Sequence, residues 1–250
     1  MEFVTVSKEN QVAVVMLCRG KVNALNEAVV DELKACFQEL EADEDTRVVI
    51  LTGKGKFFSF GFDIPGFLDH TPEEFTRYLT KFADLYTYLF VYPKPLIAAM
   101  NGHTVAGACM LATACDHRVM VEGKAKISLN EVTFGSSVFA GAVQMLIACV
   151  GHACAESILL SGAMFSAEEA LQIGLIHEVA REDSLREDAM SMAAKFLRSD
   201  PQAFRSIKML LRKPIAEQMV PREAASIKEF VDIWYSDTTR KQIERIKIHT

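Results

Sequence analysis

Much that would settle a function at once is missing from these 250 residues. The six cysteines, Cys18, Cys36, Cys109, Cys115, Cys149 and Cys154, form no Cys-x-x-Cys pair, and no histidine stands at zinc-ligand spacing. A zinc module and a thioredoxin-type redox motif are therefore excluded, and no metal site is expected. Most of these cysteines sit among Ala, Val, Leu and Ile, which reads as buried, reduced thiols in a cytoplasmic chain. Positive charge is scarce as well. With 27 Lys and Arg against 33 Asp and Glu the net charge is −6. Nucleic-acid phosphates call for a clustered basic surface, so no nucleic-acid partner is expected. The opening MEFVTVSKEN is charged and alternating, unlike a secretory signal. The most apolar stretch, Pro95 to Cys115, is interrupted by Asn101, Gly102 and His103. It falls short of the ~20 continuous apolar residues of a membrane span. Internal repeats and low-complexity segments are absent.

What is present is an ordinary globular composition, 50% hydrophobic and 24% charged. A chain of this length can bury about 70–75% of its unfolded surface, and at about 150 residues per domain it makes roughly 1.7 domains. Phe3 to Val6, a turn at Glu9-Asn10 and the run VAVVML predict a β-hairpin. Val30, Leu33, Phe37 and Leu40 recur at helical steps after Asn26, and RVVILTG then reads as a fully buried strand. Helix followed by buried strand is the rhythm of an α/β protein. A Gly- and Phe-rich loop follows, then a helix from about Thr71 to Val91 and the strand LIAAM. Beyond these come the helix AGACMLATAC and the strand HRVMV. From Val138 onward helices dominate. Ser166 and Glu169 form a capping box for a helix that Gly174 stops. Further helices are expected over about Ser184 to Arg198, over Pro201 to Lys213 with a stop at Pro214, and from about Arg222. Their apolar stripes must dock on the core or on another subunit.

Three segments could carry chemistry. In FFSFGFDI, Phe57 to Ile64, a glycine after a buried strand can turn the next amide toward a ligand; a plain turn with packing phenylalanines is the alternative. In NGHTVAGACM, Asn101 to Met110, Gly107 lies near a helix start, where amide N–H groups lack partners and negative charge is favoured. Close packing of small residues explains the same pattern. In SLNEVTFG, Glu131 is an isolated carboxylate between apolar residues. An apolar pocket would raise its pKa and make it a base for carbon acids, whereas an Asn130-capped first turn would leave it ordinary. His103, His117 and His152 have no ligand-spaced partners, Asp63 resembles a helix N-cap, and the basic tail RKQIERIKIH reads as a solvated helix with one docking face.

The order and spacing of NALN, GFDI, NGHTVAGA and LNE, followed by SGAMFSAEEALQIGLIHEVA, resemble the enoyl-CoA hydratase/isomerase (crotonase) superfamily over essentially the whole chain. The resemblance implies a crotonase-like α/β core of repeated ββα units in two sheets over residues 1–195. It also implies a helical C-terminal oligomerisation domain over 196–250, in homotrimers or hexamers. The implied substrate is an acyl-CoA thioester, with coenzyme A part of the substrate and no separate cofactor. By matching positions, the oxyanion-hole N–H groups fall on Phe62 and Gly107, and Glu131 is the acid/base. Lys21, Val22 and Ala24 with Phe60, Asp63 and Ile64 would hold coenzyme A, while Met110, Phe134 and Phe139 would face the acyl group. Hydratases of the family use two glutamates, and here the first position is Met110, whose thioether cannot exchange protons. One carboxylate suits the shift of a 3,4 double bond to the 2,3 position, as in the family's Δ3,Δ2-enoyl-CoA isomerases. A hydratase working with Glu131 alone or with an acid from elsewhere, such as Asp69, and a catalytically silent acyl-CoA-binding scaffold are the alternatives.

Overall fold

The computed structural model describes residues 1–245. The basic tail from Arg240 is described only through Arg245, so the expectation for the rest of it lies outside the described residues. The chain opens with the hairpin β1 (Val4–Glu9) and β2 (Val12–Leu17), paired antiparallel. Next comes α1 (Glu27–Ala42), whose N-cap Asn26 accepts from the Val29 N–H, satisfying one orphan donor of the first turn. Its Val30, Leu33, Phe37 and Leu40 are all buried, as their helical spacing predicts.

A ββα unit then repeats. The first strand of each pair enters one sheet and the second strand enters another. The pairs are β3 (Val48–Gly53) with β4 (Phe57–Ser59), β5 (Leu96–Met100) with β6 (His103–Val105), and β7 (His117–Val121) with β8 (Ile127–Ser128). With β9 (Glu178–Ala180), the larger sheet runs β1-β2-β3-β5-β7-β9 and is parallel beyond the hairpin; the smaller runs β4-β6-β8. The long central strands are legible because β3 and β5 are apolar runs buried on both faces. The strands of two or three residues are too short to show any period, and β4, β6, β8 and β9 replace what reads as loop or helical segment.

Between strands lie α2 (Ile64–Phe67), α3 (Pro72–Phe90) and α4 (Gly107–Ala114). A 3₁₀ turn at Glu131–Phe134 leads to α5 (Ala140–Val150), α6 (His152–Ser161) and α7 (Ala167–Gln172), whose capping box from Ser166 and Glu169 is formed. Then come α8 (Leu185–Leu197), α9 (Pro201–Trp234) and α10 (Asp237–Ile243). The boundary expected after residue 195 falls inside α8, which packs on β3, β5 and β7.

One expectation is corrected at α9. Pro214 ends no helix: a single helix of 34 residues runs through both Pro214 and Pro221. A proline removes one backbone hydrogen bond and crowds the preceding turn, yet both prolines are exposed while Ala216, Met219, Ile227, Phe230, Val231 and Trp234 are buried against the core. Burial of that stripe against α3 and α5 outweighs the local penalty.

Candidate active site

The site begins with a strap and a loop laced together. Phe60 N–H donates to the Val22 carbonyl at 3.0 Å, Leu25 N–H to Gly61 at 2.8 Å, and Asp63 N–H to Leu25 at 3.1 Å. Asn23 is buried with φ 51°, and its Nδ2 donates to the carbonyls of Lys54, Phe57 and Phe58. The Ser59 hydroxyl donates to the Asn23 carbonyl and accepts from the Gly61 N–H. Arg19 closes the arrangement, with Nη1 on the Ala24 carbonyl and Nη2 2.6 Å from the Asp63 carboxylate. Arg19 lies outside the motifs, and NALN includes Asn23 without showing what it holds, because Asp63 lies 44 residues from Arg19 and Lys54 31 residues from Asn23.

Within this lacing one amide is left over. The N–H groups of Phe60, Gly61, Asp63 and Ile64 all donate within the protein, but that of Phe62 donates to no described atom. The same holds for Gly107, the first residue of α4, whose N–H is one of the orphan donors of a helix start. The two loops touch. A Cβ on Gly61 would lie 2.6 Å from the Val105 carbonyl oxygen and 3.3 Å from the Gly107 nitrogen, and one on Gly107 would lie 2.7 Å from the Phe62 ring. Only residues without a Cβ permit this approach. Between them Ala106 holds φ 52° and ψ −122°, a conformation that costs a non-glycine residue about 1–3 kcal/mol and that aims the start of α4.

Glu131 sits on the 3₁₀ turn, 3% exposed, with neither carboxylate oxygen hydrogen-bonded. Burial pushes its carboxyl from an ordinary 4.5 up to about 8, only partly opposed by its own backbone N–H. Asn130, expected as a side-chain cap for this turn, makes no capping bond. The turn is instead placed by Ser128, whose hydroxyl donates to Ala163, and by the Ala106 N–H on the Ser128 carbonyl.

Glu131 borders a cavity of about 180 Å³. Phe60, Phe62 and Ile64 from the loop line it, with Val105 and Ala106 from the turn before α4 and Phe134 beside Glu131. Sequence reasoning missed Met164, Phe230 and Trp234 as further lining residues. The last two come from α9, so the C-terminal helix completes the site.

Several expected site residues stand elsewhere. Met110 is wholly buried and does not line the cavity, because every residue of α4 is buried and its faces meet core on all sides. Phe139 is also withdrawn: it stacks on Phe230 at 4.9 Å and lies against Phe62 at 6.3 Å, behind the wall. The Asp63 carboxylate is engaged by Arg19 and also caps α2, so it holds the loop in place. Lys21 is exposed and Val22 half-buried on the strap, while Ala24 is buried beneath it. Asp69 is exposed and does not line the cavity. Among the described residues no cluster of three or more His, Cys, Asp or Glu is placed to hold a metal, and no helix is long and apolar enough to cross a membrane.

The cavity thus joins Phe62, whose N–H is free, with the buried, unpartnered carboxylate of Glu131, while Gly107, with its own free N–H, is not a lining residue and adjoins the wall through Ala106. Residues 7–247 match the family model described as Enoyl-CoA hydratase/isomerase, and the chain belongs to that family. Enoyl-CoA delta isomerase 1, mitochondrial, of Mus musculus is 32% identical over 234 residues, 93% of this chain and 81% of its own. The 2,3-dehydroadipyl-CoA hydratase of Escherichia coli is 33% identical over 216 residues, 85% of this chain and 83% of its own. The crystal structure of human mitochondrial delta3-delta2-enoyl-CoA isomerase matches with a TM-score of 0.93 at 29% identity, covering 97% of this chain and 95% of that one. The α/β architecture of repeated ββα units is thus the crotonase fold, and the protein is an enzyme of this isomerase and hydratase family.

Proposed function

We propose that the protein is an enoyl-CoA isomerase that moves a 3,4 double bond of an acyl-CoA thioester to the 2,3 position. One observation carries this reading: Glu131 is the sole ionisable side chain lining the cavity among the described residues. Hydration needs a water activated and a proton delivered, normally by two groups. Here the neighbouring acids are unsuited, Asp63 by its ion pair and Asp69 by its exposure.

In the proposed reaction the thioester oxygen sits between the Phe62 and Gly107 N–H groups. The Glu131 carboxylate takes a proton from C2, the electron pair enters the conjugated dienolate, and charge builds on the held oxygen. Protonated Glu131 then delivers its proton to C4, and the pair returns to form the 2,3 double bond and the carbonyl. The raised pKa suits this double duty, since a base near neutrality can both take and return a proton. Removal of one oxyanion donor typically costs about 10²–10³ in rate, and general acid–base catalysis contributes about 10²–10⁴.

In the same proposal the exposed Lys21 and the Val22–Ala24 strap, with Phe60 to Ile64, hold coenzyme A, which enters as part of the substrate. Assembly into homotrimers or hexamers is part of it too, as is a cytoplasmic location, supported by six cysteines that are all free. The isomerase named in two of the matches adds support.

The test supplies purified protein with a 3-enoyl-CoA and, separately, a 2-enoyl-CoA, following conjugated thioester and hydroxyacyl product. Conjugated product without hydration is expected, and Glu131→Gln should lower that rate by about 10²–10⁴ while CoA-ester binding survives. A 3-hydroxyacyl product would make the protein a hydratase, and tight binding without turnover would make it a scaffold. Near-normal turnover in Glu131→Gln would remove the proposed base.

A further inference from the structure

We infer that the acyl pocket ends blindly at Trp234 and Phe230 and admits short acyl chains, with Trp234 the residue that sets the length limit. The inference rests on the acyl-CoA reading of the cavity. The cavity has an open and a closed end. At the rim Phe60 is 37% and Met164 42% exposed, whereas Phe230 and Trp234, on the same lining, are each 1% exposed. Entry therefore leads inward from the exposed pair toward the two aromatic rings.

That floor is braced from behind. Trp234 packs on Phe75 at a ring separation of 4.7 Å, and Phe230 stacks on Phe139 at 4.9 Å. The corner that follows is tied to both loops flanking the cavity. Arg240 donates to the Leu68 carbonyl, Tyr235 to that of His70, and Thr239 to that of Gly135. These ties hold the chain just beyond Trp234, while the indole itself, whose Nε1 has no partner, is held by packing alone.

The space itself gives the length. An apolar cavity of ~150 Å³ holds one benzene, six carbons. At about 180 Å³ this pocket has room for little more, including the carbons beside Glu131. Chains of roughly four to eight carbons fit, and affinity should rise roughly fourfold per added methylene until the floor is met, then fall for longer chains, whose excess carbons overpack the closed end. The chain's only tryptophan thus occupies the space that a longer acyl group would need.

The experiment uses the full chain, its Trp234→Leu variant and the milder Trp234→Phe. Equilibrium binding of saturated hexanoyl-CoA and dodecanoyl-CoA is measured alongside turnover of 3-hexenoyl-CoA and 3-dodecenoyl-CoA. The wild-type protein should favour the six-carbon over the twelve-carbon ester at least tenfold in both readouts, and Trp234→Leu should shift that ratio at least tenfold toward twelve carbons. Should Trp234→Leu fail to fold, Trp234→Phe should shift the ratio the same way by a smaller factor. Equal handling of the two esters by wild type, or an unchanged ratio in a folded variant, overturns the inference. Length-selective binding without turnover of any ester would sink the isomerase reading and leave the pocket limit standing. Binding of neither ester would remove both.

Discussion

Glu131 concentrates the consequences at the scale of single residues. In the proposed isomerisation its carboxyl must be ionised to act as base, so kcat/KM should climb about tenfold per pH unit below about 8 and level off above it. Stability should run the opposite way. Between about 4.5 and 8 the folded chain holds a proton on this group that the unfolded chain has lost. Unfolding free energy from this one group therefore falls by about 1.4 kcal/mol per pH unit across that window. Glu131→Gln should abolish this part of the slope and melt higher than wild type at pH 7, which calorimetry at pH 5 and pH 7 would check; an unaltered slope would mean the group is not held protonated. The residue was legible in the sequence as a carboxylate among apolar neighbours. The roles of Arg19 and Asn23 were not, even though NALN includes Asn23, because Asp63 and the Phe57 carbonyl lie tens of residues further along the chain. Met110 shows the opposite failing: the resemblance puts it against the acyl group, but on a helix buried all round a matching position need not reach the cavity.

Among the elements, α9 is where local rules and tertiary packing disagree. Proline is the strongest helix breaker, so a stop at Pro214 is the correct local reading. The buried stripe from Ala216 to Trp234 decides otherwise, and it does so through contacts with α3 and α5 that no window along the chain can display. Pro214→Ala should therefore restore a missing backbone hydrogen bond at an exposed position and recover part of the ~3 kcal/mol that an interior proline costs. A rise in Tm of at least about 2 °C is expected for a chain this long. No change or a fall would show that the helix needs its proline bend. The buried strands β3 and β5 read correctly for the converse reason: their apolar runs are the packing signal itself.

For the whole molecule, the division into a core and an appendage becomes a question of what the core can do alone. The segment from Pro201 onward supplies the floor of the cavity and buries Met219, Ile227, Phe230, Val231 and Trp234. At about 1.5–3 kcal/mol for each large apolar side chain, those five contribute about 10 kcal/mol, as much as the entire stability of a typical protein. A chain cut after Ser199 should fail to form a cooperative fold and should bind a hydrophobic dye, with broad thermal transitions. A sharp melt in that fragment would establish residues before 200 as a self-sufficient domain. Length and composition bounded the domain count, but they could not show that the helices near the C-terminus complete a site whose motifs all lie before residue 135.

The two unmatched amides of Phe62 and Gly107 carry a last consequence. Around Phe62 the neighbouring amides are anchored, so that one valence is left open where it could have been closed, while Gly107 is one of the open amides at the start of α4. Open valences discriminate among visitors by charge. A bond to an ionised oxygen is about twice as strong as one to a neutral carbonyl, so in the proposed reaction these amides would gain more from the dienolate than from the ester that precedes it. Affinity held in reserve for the intermediate is what turns binding into rate.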